Sequence, residues 1–62
     1  MKNNIAKIRK QKGFTQTKLA ELVGVSKFHI SRIENGKSLP SVKLLVKIAD
    51  VLNVSLDDLF LP

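Results

Sequence analysis

Thr15–Gly36, TQTKLAELVGVSKFHISRIENG, holds two short segments of helical periodicity on either side of Gly24. Thr15 is placed to cap the first, which carries Leu19, Ala20, Leu22 and Val23. Ser26 caps the second, in which Ile30 and Ile33 face inward. Asn35-Gly36 stops that second segment, because glycine takes the left-handed conformation at no steric cost.

Outward from this pair the chain keeps the same period. A helix is expected from about Asn4 to Lys12, with Ile5 and Ile8 on one face and Gly13 ending it. Pro40-Ser41 opens a fourth helix whose stripe is Val42, Leu45, Ile48, Ala49 and Leu52, ended by Asn53. Ser55 with Asp58 has the S-x-x-D form of a capping box and starts a last short helix holding Leu56, Leu59 and Phe60. No stretch alternates with period two for long. All connections are short, which suits an all-α, compact, orthogonal five-helix bundle over a coiled coil.

The 62 residues allow one domain, 1–62, with a thin core. The hydrophobic fraction, 44%, is ordinary for a globular fold. With no cysteine, neither disulfides nor a thiolate metal site can add stability. The start, MKNNIAKIRK, lacks the apolar centre of a signal peptide, and no apolar run approaches the roughly 18 residues of a membrane span. A cytoplasmic protein with no membrane partner is expected. The formal charge of +6 is uneven. Through Lys47 there are eleven basic residues against Glu21 and Glu34, a net of +9. From Ile48 onward there are only Asp50, Asp57 and Asp58, a net of −3. One face is therefore suited to a polyanion, with the C-terminal end turned away.

The third helix shows which face. An α-helix turns about 100° per residue. With Lys27 at zero, Ile30 and Ile33 fall near ~300° and ~240°, so the buried direction is ~270°. The opposite side collects Phe28, Asn35, Ser31 and Arg32, with Lys27 at its edge. Arginine can bond guanine O6 and N7 together, and an apolar group can touch the thymine methyl. Lys27, Phe28, Ser31 and Arg32 are thus candidate base readers on double-stranded DNA. His29 lies at the border of the core, as a packing or phosphate-contacting residue. Glu34 opposes the helix dipole. A cationic partner would explain it, and the first helix offers Arg9.

Taken together, Gln16, Leu19-Ala20, Val23-Gly24-Val25, Ile30, Ile33 and Glu34-Asn35-Gly36-Lys37 resemble the helix-turn-helix of the phage-repressor and Cro-like family, also called the XRE family. The ending LLVKIADVLNVSLDDLF is similar to the last two helices of that family, so the resemblance spans essentially the whole chain. It implies a lambda-repressor-like DNA-binding domain of prokaryotic or phage origin. Ala20 would then be small where the two motif helices cross, and Gly24 would supply the positive φ of the turn. Lys27, Phe28 and Arg32 fall where members make base contacts, and Ser26 and Ser31 near phosphate and base edge. Gln16 and Thr17 open a helix whose N-terminus meets a phosphate in members. Asn35, Lys37, Ser41 and Lys43 fall in and after a loop that grips phosphates. Arg9 with Glu34 resembles an ion pair that ties the first helix to the recognition helix. Phe28 departs from the family, where a polar residue is commoner, and Lys18 stands where many members have an acid.

The expectation is a sequence-specific transcriptional regulator, with repression favoured because occupancy alone can block a polymerase. It would bind a palindromic operator as a homodimer through Val54, Leu56, Phe60 and Leu61. The alternative is a protein-interaction module, antitoxin-like or anti-repressor, using the third helix. An enzyme is not expected: one histidine, no cysteine and no spaced carboxylate set leave no catalytic residues. No metal, cofactor or small-molecule ligand is called for.

Overall fold

The computed structural model describes residues 3–60. Five helices succeed one another: α1 (Ile5–Gln11), α2 (Gln16–Val23), α3 (Lys27–Glu34), α4 (Val42–Leu52) and α5 (Leu56–Phe60). No strand occurs among the described residues. None of these helices is long and apolar enough to cross a membrane. Helices this short are marginal alone in water, so their stability comes from packing of their apolar faces. α2 packs on α3 and α4, and α4 on α5. Ile5, Leu19, Ile30, Ile33, Ile48, Leu52 and Leu59 meet in the centre, fully buried. Ala20 is also buried, with α3 lying against α2.

The starts of α2, α3 and α5 use the capping chemistry expected from the sequence, and Ser41 adds a cap at α4. Thr15 Oγ1 accepts from Lys18 N at 3.0 Å. Ser26 Oγ accepts from His29 N at 3.1 Å, and Ser41 Oγ from Leu44 N at 3.1 Å. Ser55 and Asp58 exchange reciprocal bonds of 3.2 and 3.1 Å, the expected capping box.

The helix ends share one device. The residue after each of α1 to α4, or one beyond, has positive φ: Gly13, Gly24, Gly36 and Asn53. The next amide then donates to a carbonyl in the last turn: Phe14 to Arg9, Val25 to Ala20, Lys37 to Arg32 and Val54 to Ala49, at 2.8–3.0 Å. This is the Schellman closure, which satisfies carbonyls the helix leaves open. Gly24 has φ 79°, as the motif turn requires. A Cβ there would meet nothing within 4 Å, so the demand for glycine is conformational, not spatial.

Two expected core positions are corrected. Val42 is 72% exposed, and Leu44 is buried in its place. The buried line of α4 is Leu44, Ile48 and Leu52, at four-residue steps. Val42 lies two residues from Leu44, roughly 200° round the helix, so it faces away. Leu22 is likewise half exposed, at the edge of the α2 stripe.

Candidate nucleic-acid interface

α3 is built as its periodicity indicates. Ile30 and Ile33 are buried, while Lys27, Phe28, Arg32 and Asn35 are exposed and Ser31 half-buried. His29 sits half-buried at one flank, and Glu34 turns its side chain inward at the other. Phe28 is 77% exposed, an aromatic ring in water beside a lysine and an arginine. Presenting this face costs the helix nothing in the core, since both isoleucines point the other way.

Beneath α3 lies a buried ion pair. Arg9 Nε donates to Glu34 Oε2 at 2.7 Å and Nη2 to Oε1 at 3.3 Å, with the two side chains 8% and 4% exposed. Arg9 Nη1 donates to the Phe14 carbonyl at 2.8 Å. Gln16 Nε2 donates to Glu34 Oε1 at 2.8 Å. The pair is legible in the sequence, but its third member is not, since the sequence marks Gln16 only as a phosphate contact. One amide hydrogen of Gln16 is committed to Glu34. Its second amide hydrogen and the opening N–H groups of α2 are the donors a phosphate could use. Thr17, beside it, is exposed.

The remaining expected phosphate contacts fall into two places. Asn35 and Lys37 are exposed just beyond the C-terminus of α3. Asn35 Nδ2 makes a long contact of 3.5 Å with Ser31 Oγ. His29, Ser41 and Lys43 line one shallow groove with Gly24, Val25 and Lys47. Lys47 is an addition to the expected set. Its signal is the four-residue spacing from Lys43, which puts both ammonium groups on one side of α4. Ser26 and Ser41 use their hydroxyl oxygens as caps. A hydroxyl accepts and donates at once, so each keeps its hydrogen for an anion.

Ser38 is a second addition, with no signal in the sequence: its Oγ accepts from Arg32 Nε at 3.1 Å. Among the expected dimer residues, Val54 and Phe60 pack partly buried against the core. Leu56 is 37% exposed, and Leu61 lies outside the described residues. More fully exposed apolar side chains stand at Leu39 and Val42.

A family model described as helix-turn-helix, HTH_3, matches residues 5–59. The chain is 37% identical over 60 residues to the HTH-type transcriptional regulator YgzD of Bacillus subtilis, covering 97% of this chain and 91% of that one. It is 39% identical over 59 residues to the phage CTXphi transcriptional repressor RstR of Vibrio cholerae, covering 95% of this chain and 53% of that one. The fold matches the biofilm regulator SinR, solved in complex with DNA, with a TM-score of 0.78, 42% identity and 87% of each chain covered. The chain thus belongs to the helix-turn-helix HTH_3 family of XRE type: it is a DNA-binding transcriptional regulator and not an enzyme.

Proposed function

We propose that this protein is a cytoplasmic repressor that binds a palindromic operator as a homodimer, with α3 in the major groove. The observation that carries this reading is the divided surface of α3. Its buried side is apolar, and its solvent side offers Lys27, Phe28, Ser31 and Arg32 together. Arg32 and Lys27 supply donors for guanine, and Phe28 supplies an apolar surface for a thymine methyl. Gln16 and Thr17 meet one phosphate at the start of α2. Ser26 meets the backbone at the start of α3, His29, Ser41 and Lys43 along the α4 groove, and Asn35 and Lys37 beyond α3. These contacts set affinity and register, while the base contacts set specificity. Val54, Leu56, Phe60 and Leu61 mark the C-terminal side on which a second copy would pair.

Selection of bound sites from random duplex DNA tests the reading. Two related half-sites about 10–10.5 bp apart are expected. In the selected site, Arg32→Ala should cost about 1–3 kcal/mol and relax one base position. Lys37→Ala should weaken all sequences alike and lower the salt slope by about 1. Binding without salt dependence would sink the proposal. The exposure of Phe28 favours one other reading, a protein partner for α3. That reading expects Phe28→Ala to abolish partner binding while Arg32→Ala does little.

A further inference from the structure

Two arginines in this molecule use their guanidinium groups differently. Arg9 presents its Nε–Nη2 edge to both oxygens of Glu34. Arg32, on the reading face, commits Nε to Ser38 Oγ at 3.1 Å. The bond is not a chance meeting of two loose side chains. The main chain of Ser38 is itself tied to Arg32: the Lys37 and Ser38 amides both donate to the Arg32 carbonyl, at 2.8 and 3.3 Å. Ser38 is half-buried, and its hydroxyl is held where the Arg32 side chain leaves the helix.

A guanidinium has five N–H donors in a rigid planar fork. With Nε engaged, the side-on edge is lost to other acceptors. Neither terminal nitrogen has a hydrogen bond among the described residues. The end-on edge of Nη1 and Nη2 is thus the one free for a bidentate acceptor pair. Guanine offers such a pair in O6 and N7.

We infer that Ser38 is a specificity-determining positioning residue, which fixes Arg32 in an end-on orientation for one guanine of the operator. The inference rests on the base-reading role of Arg32 proposed above. Ser38 touches no base. It removes rotamer freedom from Arg32 before binding and discourages contacts by the side-on edge, so a purine with a different acceptor pattern gains less.

The test compares wild type, Ser38→Ala, Ser38→Thr, Arg32→Ala and the double variant, on the selected operator and on its base substitutions at the Arg32 position. Ser38→Ala is expected to lower the preference for guanine roughly 2- to 10-fold, the worth of one hydrogen bond. Affinity for unrelated DNA and the salt slope should not change. Ser38→Thr keeps the hydroxyl and should restore the preference. The double variant should match Arg32→Ala, because Ser38 acts only through that side chain. A Ser38→Ala profile identical to wild type, beside an Arg32→Ala that loses the preference, would overturn the positioning role and leave the reading of Arg32 intact. Uniform weakening on all sequences by Ser38→Ala would also overturn it, making Ser38 a loop or phosphate residue. An Arg32→Ala profile unchanged from wild type would overturn the base-reading role itself, and this inference with it.

Discussion

Glu34 is held by two side chains from two other parts of the chain, Arg9 and Gln16, in a site almost closed to water. A buried ion pair is weak evidence of net stabilisation, since desolvating two charges is costly. Breaking it is another matter. Glu34→Ala leaves the Arg9 guanidinium buried and unpaired, at an expected cost of about 3–5 kcal/mol. A domain of this length has about 3–9 kcal/mol in total, so the variant should lose from about a third of its stability to all of it, read as a clear fall in the urea midpoint by circular dichroism. Unchanged urea unfolding would mean that water reaches the pair in solution. The sequence hints at the pair because an acid in the last turn of a helix is out of place. It carries no hint of Gln16 as third partner, or of Ser38 on Arg32. Where a neutral side chain meets a charged one depends on how elements dock and how a loop folds, and no local spacing records it.

At the scale of the element, four helices end by one closure, yet the residue after the turn differs among them. Phe14, Val25 and Val54 are apolar and pack against the core, which anchors the exits of α1, α2 and α4. After α3 the same position is Lys37, exposed. α3 therefore ends toward solvent, without the apolar anchor that the other three exits have. The α2 exit can be tested directly. Gly24→Ala should cost about 1–2 kcal/mol, the penalty of a left-handed L-residue, because no steric clash adds to it. Gly24→Asn should cost less, since asparagine tolerates that conformation and already holds it at Asn53. Thermal unfolding of the two variants checks the order; equal losses would point to a spatial demand instead. These ends are legible because glycine and asparagine punctuate the sequence. The faces of α4 are less so. Val42 and Val46 put apolar residues opposite Leu44, Ile48 and Leu52, so the apolar pattern alone allows more than one stripe.

For the whole molecule, the Cα trace spans 25 × 23 × 19 Å. Half-sites one turn apart lie about 34–36 Å from centre to centre. Two copies on the same side of a duplex therefore fit without overlap. A standard interface buries about 800 Å² per partner, near a fifth of the 4078 Å² that this chain exposes. The C-terminal side has little to offer toward that figure. Val54 and Phe60 are partly committed to the core, and among its described apolar residues Leu56 alone counts as exposed. Asp57 and Asp58 beside it are exposed and would repel their copies across a two-fold axis unless kept apart. A contact this small belongs with weak encounters, so the homodimer should assemble on DNA, where adjacent half-sites raise the effective concentration toward millimolar. Sedimentation of the free protein should then give a monomer, and a duplex with two half-sites should give a cooperative 2:1 complex. Moving one half-site by about half a turn puts the copies on opposite sides of the duplex and should abolish cooperativity while each half-site keeps its own affinity. A stable dimer without DNA would mean that the C-terminal side buries far more than Leu56 supplies. Cooperativity indifferent to spacing would rule out direct contact between the two copies.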